Sequence, residues 1–274
     1  MTDLYAVIGN PIRHSKSPEI HRLFAEATGQ ELHYVAIEGP IGGFGAQADQ
    51  FRRDGGRGLN VTVPFKLDAC AYATDLSDQA RMAGAVNALK FDGERAYAEN
   101  FDGVGLTRDI QRNLGYRLAG KRILVLGAGG AARGVILPFL TERPAVLAIA
   151  NRTPDVARAL AAHFSAFGET VGMGYGDLAR FPPFDLVVNA TSASLAGDWP
   201  PVPEVSFGKE CFAYDLAYGK GLSPFLKLAG ASGATHLADG IGMLVEQAAE
   251  AFEWWRGIRP DTAPVIERLT TPLR

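Results

Sequence analysis

The stretch that decides the fold spans residues 123–158 and reads ILVLGAGGAARGVILPFLTERPAVLAIANRTPDVAR. Its first four residues form a short apolar run that fits a buried parallel strand. The glycine-rich segment at 127–132 follows, and then an apolar stretch suited to a helix. Glycines permit a tight turn and let backbone N–H groups approach a pyrophosphate at the positive end of a helix. The segment therefore predicts a dinucleotide-binding turn, in which Ala132 replaces the third glycine of the fingerprint, as the pattern allows. Glycine-rich turns also close ordinary strand–helix units, which is the alternative.

The residues after the second apolar run, 146–150, indicate which dinucleotide binds. A chain that binds NAD usually places Asp or Glu about twenty residues after the glycines, where it bonds the ribose 2′-hydroxyl. This chain has Asn151, Arg152 and Thr153 there, with Arg158 further along. A carboxylate would repel a 2′-phosphate, whereas a guanidinium pairs with it through two parallel charge-assisted bonds. The sequence therefore predicts NADP, although an arginine at a helix start can also be merely solvated.

Composition narrows the class of protein. The 274 residues could form one large domain or two small ones, and the formal net charge of −3 gives no electrostatic footprint for nucleic acid. No apolar stretch is long enough to span a membrane, and the first residues lack the features of a signal peptide. Cys70 and Cys211 lie far apart, and the five histidines show no metal-ligand spacing. We expect a cytoplasmic protein with a small-molecule substrate, two unpaired thiols, and no metal, nucleic-acid or membrane partner.

The order of apolar runs predicts two α/β domains with a cleft between them. Strands are expected at 4–8, 33–37, 58–63 and 88–91, and helices at 18–28 and 41–53, which implies a mostly parallel sheet covered by helices. Strands of the nucleotide-binding sheet are expected at 123–126, 146–150, 186–190 and 213–217, with a loop at 198–203. A long helix at 241–256 sets Met243, Gln247, Glu250 and Trp254 along one side, and a short final helix follows. A cleft between two domains is the usual place for a small-molecule site.

Polar residues gather where the strands of the first half end. Ser15 and Ser17 can offer hydroxyls to an anion near a helix start, although either serine could simply cap that helix. Lys66 follows the strand that ends in NVTVP, and Asp102 lies among small residues in the segment NFDGVG. When a carbonyl accepts a hydride, a nearby group must deliver a proton or stabilise charge, and a lysine oriented by a carboxylate suits that task. Spacing alone does not show that these two side chains meet, and a lone lysine at a turn is usually solvated.

Nine motifs in one order resemble the shikimate dehydrogenase family along essentially the full length of the chain. They are VIGNPIRHSKSP, NVTVPFK, AGAVNAL, NFDGVG, GAGGAARGV, NRT, NATS, YDLAYGKGLSPFL and DGIGMLVEQAAEAF. The resemblance implies an NADPH-dependent, reversible reduction of 3-dehydroshikimate to shikimate in aromatic amino acid and chorismate biosynthesis. It also implies a substrate-binding domain made of residues 1–102 and 240–274, and a Rossmann NADP-binding domain of residues 103–239. The active site would lie in the cleft between them, in a monomer or a homodimer.

The same resemblance implies roles for individual residues. Lys66 and Asp102 would be the catalytic pair. Ser15, Ser17 and Tyr218 would bind the substrate carboxylate, and Thr62, Asn87 and Gln247 the ring hydroxyls. The cofactor would contact Gly127, Ala128, Gly129, Gly130, Ala131, Asn151, Arg152, Thr153, Arg158, Leu216, Gly240, Met243 and Asp78.

Two positions depart from the family pattern. Phe101 stands where the family's motif before the catalytic aspartate has a threonine, which would weaken substrate binding by roughly 0.5–1.5 kcal/mol if one hydrogen bond is lost. Ser194 and Leu195 stand where a glycine and an apolar residue are common. Two alternative functions therefore remain: a dehydrogenase of quinate or an aminated shikimate, which Phe101 keeps open, and a non-catalytic NADP-binding regulator on the same scaffold. The retained Lys66 and Asp102 argue against the regulator.

Overall fold

The chain folds around two six-stranded sheets. The structure, a computed structural model, describes residues 2–191, 193, 198–219 and 221–273. The strands of the first sheet are β1 (Asp3–Gly9), β2 (Leu32–Glu38), β3 (Gly56–Val61), β4 (Asp75–Leu76), β5 (Ala88–Asp92) and β6 (Arg95–Glu99). Their order is β2-β1-β3-β5-β6-β4. Strand β1 is parallel to β2 and β3, and β4 is parallel to β6, whereas β5 is antiparallel to both β3 and β6. The predicted parallel character therefore holds for three of the five strand pairs.

The second sheet is parallel throughout. Its strands are β7 (Arg122–Leu126), β8 (Val146–Asn151), β9 (Thr170–Gly174), β10 (Phe184–Asn189), β11 (Phe207–Asp215) and β12 (His236–Asp239). Their order is β12-β11-β10-β7-β8-β9, and every neighbouring pair is parallel. This is the doubly wound order of dinucleotide-binding domains, in which ligands bind beyond the carboxyl ends of the strands where the order reverses, here between β7 and β10. The predicted fold class is confirmed.

Ten α-helices cover the sheets in the described part of the chain. They are α1 (Ser17–Thr28), α2 (Phe44–Arg53), α3 (Lys66–Tyr72), α4 (Asp78–Ala83), α5 (Asp102–Arg108), α6 (Gly130–Thr141), α7 (Pro154–Phe164), α8 (Pro224–Ala231), α9 (Ile241–Arg256) and α10 (Ala263–Leu269). Helix α5 continues into a π-helical turn at Asp109–Asn113. Helices α9 and α10 pack against α1 through one apolar cluster, so the end of the chain returns to the first sheet. The boundaries of the two domains stay a prediction.

Helix α5 connects the two halves of the molecule because glycines let it approach both neighbours closely. A Cβ at Gly103 would lie 2.4 Å from the carbonyl oxygen of Gly134 in α6. A Cβ at Gly105 would lie 2.7 Å from the backbone nitrogen of Gln247 in α9. Side chains at these two positions would push the helices apart, so the glycines set how closely the elements that meet at α5 can pack.

Several element boundaries differ from the sequence-based expectation. The helix expected at 41–53 begins at Phe44, because Gly42 adopts a positive φ of 77° in the turn before it. Strand β3 ends at Val61, two residues earlier than predicted. Strands β4, β6, β9 and β12 were not predicted. The helix at 241–256 has the predicted bounds, a short helix follows it as expected, and residues 198–203 contain neither helix nor strand.

The described residues contain neither a membrane-spanning helix nor a cluster of metal ligands. No helix among them is both long and apolar enough to cross a membrane. Within the same residues, no group of three His, Cys, Asp or Glu side chains could hold a metal ion. The thiols of Cys70 and Cys211 are free, and burial raises the pKa of Cys211 to about 12.

Candidate active site

Lys66 and Asp102, which the sequence could not show to be neighbours, are in direct contact. Lys66 is the first residue of α3, just beyond the carboxyl end of β3, and Asp102 is the first residue of α5, just beyond β6. The Lys66 Nζ donates to Asp102 Oδ2 in an ion pair whose side chains are only 11% and 5% exposed. Asp102 Oδ1 accepts a second hydrogen bond, of 2.9 Å, from Asn87 Nδ2. A buried lysine held by an oriented carboxylate is suited to proton transfer.

Asn87 fixes the geometry around this pair. Its Oδ1 accepts a 2.8 Å hydrogen bond from the backbone N–H of Phe101, so its amide nitrogen must face the opposite way. That nitrogen donates to Asp102 and also to Gln247 Oε1, at 3.2 Å. Gln247 in turn donates from Nε2 to the Leu244 carbonyl at 2.8 Å. The candidate ring-binding residues Asn87 and Gln247 therefore lie together, although 160 positions separate them.

The segment of residues 15–17, which we call the serine segment, lies at the start of α1. The N-cap residue of this helix is Lys16, whose side chain makes no capping hydrogen bond, so neither serine occupies the N-cap position. Ser15 Oγ accepts a 3.3 Å hydrogen bond from the Ser17 backbone N–H. Ser17 is buried, whereas Ser15 is partly exposed.

Tyr218 and Thr62 lie beside elements of the first domain. Burial raises the pKa of the Tyr218 hydroxyl, and a hydrogen bond with the Lys16 backbone opposes that rise. Tyr218 thus reaches from the loop after β11 to the serine segment. Thr62 follows β3, donates its backbone N–H to the Ile8 carbonyl at 2.9 Å, and lies against Gly9.

The glycine-rich turn at residues 127–131 has a backbone geometry suited to binding an anion. Gly127 has a φ of 103°, and its backbone passes so close to Ala190 that a Cβ would lie 3.3 Å from the Ala190 carbonyl oxygen. Helix α6 begins at Gly130 with Gly129 as N-cap, so the N-cap residue has no side chain to cap the first N–H groups, and a Cβ at Gly129 would meet no described atom within 4 Å. Ala128 is buried, and Ala131 is partly exposed in the first turn. A Cβ at Gly130 would lie 3.1 Å from the Lys66 Cβ, so the turn and the ion pair are neighbours.

The candidate residues for the 2′-phosphate lie at the carboxyl end of β8. Arg152 and Thr153 are exposed there, and the partly buried Asn151 donates from Nδ2 to the Thr153 carbonyl at 3.1 Å. Arg158 instead pairs with Asp155 at 2.9 Å on the exposed side of α7. Of the two predicted cations, Arg152 is therefore the better placed to contact a nucleotide at the end of the strand.

Three further candidate cofactor residues meet at the start of α9. Gly240, the N-cap of α9, donates its backbone N–H to the Ala217 carbonyl at 3.0 Å, and a Cβ there would lie 2.2 Å from the Leu216 oxygen. The Met243 backbone N–H donates to the Tyr214 hydroxyl at 3.2 Å. Asp78, in contrast, lies exposed in the first turn of α4, which packs against α6.

The buried polar residues His21, Asn60 and Asn100 and the partly buried Tyr34 were not predicted. Asn100 accepts the backbone N–H of Asp102 at 3.1 Å and donates to the Ala85 carbonyl at 2.8 Å, which anchors the start of α5. Asn60 could have been suspected, because it alternates with Thr62 along one strand face. His21 could have been suspected because it follows Ser17 by four residues on one helix face.

The first departure from the family pattern, at Phe101, has a clear structural setting. The Phe101 ring packs edge-on against Trp254, with centroids 5.8 Å apart, while its backbone N–H holds Asn87. The large side chain thus joins an aromatic cluster with Trp254, Trp255 and Tyr5. Ser194 and Leu195 lie outside the described residues.

The parallel sheet of dinucleotide-binding order, the glycine-rich turn and the adjacent buried Lys–Asp pair together indicate the class of nicotinamide-dependent oxidoreductases. Three family models match in order. The shikimate dehydrogenase substrate binding domain matches residues 7–89, shikimate / quinate 5-dehydrogenase matches residues 109–196, and the shikimate 5'-dehydrogenase C-terminal domain matches residues 240–270. The chain belongs to the shikimate dehydrogenase family, and the predicted enzyme class and cofactor are confirmed.

Individual relatives are similar to this chain over nearly its whole length. The chain is 55% identical to a shikimate dehydrogenase (NADP(+)) of Nitrosospira multiformis, over 100% of this chain and 99% of that one. Among solved structures, an Ael1 enzyme from Pseudomonas putida is 56% identical, with a TM-score of 0.92 and 100% of both chains covered. A shikimate 5-dehydrogenase from Thermus thermophilus in complex with NADP(H) and shikimate is 33% identical, with a TM-score of 0.85 and 97% and 98% covered.

Proposed function

We propose that this chain catalyses the NADPH-dependent, reversible reduction of 3-dehydroshikimate to shikimate. The observation that carries the proposal is the buried contact between Lys66 and Asp102 next to the glycine-rich turn. The family membership and the names of the relatives, shikimate dehydrogenase (NADP(+)), support the same reaction.

In this proposal, the nicotinamide cofactor supplies the hydride when bound. Lys66 holds a proton at Nζ and delivers it to the carbonyl oxygen that is being reduced, and it takes the proton back in the reverse direction. Asp102 orients the ammonium group through Oδ2, and Asn87 orients the carboxylate through Oδ1. Because both side chains are buried, little water competes for the transferred proton.

The remaining site residues bind and orient the substrate and the cofactor in this proposal. Ser15, Ser17 and Tyr218 hold the substrate carboxylate, and Thr62, Asn87 and Gln247 hold the ring hydroxyls. The glycine turn and the uncapped start of α6 hold the pyrophosphate, and Arg152 holds the 2′-phosphate. Leu216, Gly240 and Met243 lie where the second sheet meets α9, and we propose that they contact the nicotinamide.

A second candidate substrate is quinate or an aminated shikimate. The observation that favours it is the replacement at Phe101, whose ring lies against Trp254 and offers no hydroxyl. We also propose a cytoplasmic location, with the free thiols of Cys70 and Cys211 typical of a reducing compartment, and either a monomer or a homodimer.

A spectrophotometric matrix of shikimate and quinate against NADP and NAD tests the proposal. We expect the highest kcat/KM for shikimate with NADP. A higher kcat/KM for quinate would favour that alternative substrate, and no activity with either substrate, in a protein that still binds NADPH by fluorescence titration, would favour an aminated shikimate as substrate or the non-catalytic regulator.

A further inference from the structure

A polar cluster lies one helical turn after Ser17 and consists of the buried residues His21 and Asn60 and the partly buried Tyr34. His21 is completely buried, one helical turn after Ser17 in α1, and its ring stacks on Tyr34 with centroids 4.2 Å apart. The His21 Nε2 lies 3.1 Å from Asn60 Oδ1. The Tyr34 hydroxyl donates to the same oxygen at 2.6 Å. Two donors therefore converge on one carboxamide oxygen.

The hydrogen bonds assign the proton on the imidazole. Asn60 Nδ2 donates to the Asn87 carbonyl at 3.3 Å, so Oδ1 must be the atom that faces His21 and Tyr34. An amide oxygen only accepts, so Nε2 of His21 must carry the proton. Its Nδ1 is buried and has no hydrogen-bond partner among the described residues. Burial lowers the pKa of His21 to about 3, so the ring is a neutral donor at physiological pH.

The His21 cluster connects two sides of the proposed substrate site. At one end, the cluster lies one helical turn after Ser17, whose hydroxyl opposes the rise that burial causes in the Tyr34 pKa. At the other end, Asn60 holds the backbone carbonyl of Asn87, whose side chain holds Asp102. The chain of contacts therefore extends from a candidate carboxylate-binding hydroxyl to the candidate catalytic carboxylate.

Packing alone does not explain a histidine at this position. The ring is surrounded by Phe24, Phe252 and Trp255, an environment that an apolar side chain would fill without leaving a polar atom unpaired. Burying an unpaired nitrogen such as Nδ1 destabilises the folded state. Among the described residues, the one polar contact that distinguishes His21 from an apolar residue here is the donation from Nε2 to Asn60.

We propose that His21 is a positioning residue for substrate binding, which acts by holding the Asn60 carboxamide and, with Tyr34, the site residues Ser17 and Asn87 at its two ends. This inference rests on the proposed function. It assigns His21 no contact with substrate or cofactor. Its expected signature is a change in KM for shikimate that leaves cofactor binding unchanged.

The experiment compares three variants. His21→Leu removes the donor, and we expect its KM for shikimate to rise about tenfold, as for a lost buried hydrogen bond, with a smaller change in kcat and an unchanged Kd for NADPH. His21→Gln retains an N–H donor, and its KM should stay within about threefold of wild type. Phe24→Leu is the control, because Phe24 is completely buried on the same helix within the same aromatic cluster but its side chain has no polar atom. Its stability should fall while its KM stays unchanged.

A wild-type KM in His21→Leu would overturn the inference, and so would equal increases in His21→Leu and His21→Gln, because the donor would then be irrelevant. An equal increase in Phe24→Leu would assign the effect to packing and would also overturn it. If His21→Leu does not fold, Tyr34→Phe removes only the second donor to Asn60 and should raise KM in the same direction; an unchanged KM would again contradict us. Failure of the proposed function would appear differently, as a wild-type enzyme inactive on shikimate.

Discussion

At the scale of single residues, the proposed reaction depends most on Lys66. Lys66→Ala should lower kcat by about 10²–10⁴-fold, which is the usual contribution of a positioned acid–base group. The Kd for NADPH should change little, because the predicted cofactor contacts are elsewhere. Steady-state kinetics and fluorescence titration measure both quantities, and Lys227→Ala, on the exposed side of α8, is the control. Turnover that survives in Lys66→Ala would show that another group moves the proton.

Arg152 determines the choice of cofactor in this proposal. Arg152→Asp replaces a guanidinium by a carboxylate that would repel a 2′-phosphate, so kcat/KM with NADP relative to NAD should fall by roughly 10- to 100-fold. Arg158→Asp should have a much smaller effect, because Arg158 already pairs with Asp155 on the surface of α7. Kinetics with both cofactors measure the ratio. Equal losses in the two variants would contradict the assignment of the 2′-phosphate to Arg152 and not to Arg158, which pairs with Asp155.

At the scale of elements, the sequence predicted the turns, strands and helices whose residue pattern is strong. The glycine turn, β7, β8 and α9 follow from long apolar periodicity or from residues that only a tight turn requires. Strand β6 was missed because its buried positions are alanines between charged or aromatic residues, so its alternation is weak. Strand β9 was missed because it contains two glycines.

Contacts between distant parts of the chain could not be predicted from local patterns. Local sequence could not reveal that Asn87 meets Gln247, because that contact depends on the return of α9 to the first sheet. The same return brings Phe252 and Trp255 around His21, which is why the buried histidine had no signal in the sequence beyond its spacing from Ser17.

The contact between α5 and α9 gives a prediction at this scale. Gly105→Ala would place a methyl group 2.7 Å from the Gln247 nitrogen, so one helix must shift. Overpacking of this kind typically lowers the free energy of unfolding by about 1–3 kcal/mol, and the displaced Gln247 should also raise KM for shikimate. Gly45→Ala in α2 is the control, because its Cβ would make only ordinary contact with Tyr72, at 3.7 Å. Urea unfolding and kinetics test both variants. A Gly105→Ala enzyme of wild-type stability would contradict the close contact between α5 and α9 at Gly105.

At the scale of the whole molecule, stability in acid should depend on one buried histidine. The pKa of His21 falls from 6.5 to about 3 on folding, so below pH 6.5 the unfolded chain takes up a proton that the folded protein does not. The free energy of unfolding should therefore fall by about 1.4 kcal/mol for each pH unit between 6.5 and 3 on account of His21 alone. Burial raises the pKa of Asp109, which acts in the opposite direction: protonation of that carboxyl favours the folded state as the pH falls.

The variant His21→Gln separates the two contributions, because it removes the histidine and keeps Asp109. The other four histidines are exposed and present in both proteins. Relative to the variant, the wild type should therefore lose about 2 kcal/mol of stability between pH 6.5 and pH 5, as measured by urea unfolding at both pH values. Parallel losses in the two proteins would mean that the His21 ring is protonated in the folded state, which is incompatible with a buried neutral donor to Asn60.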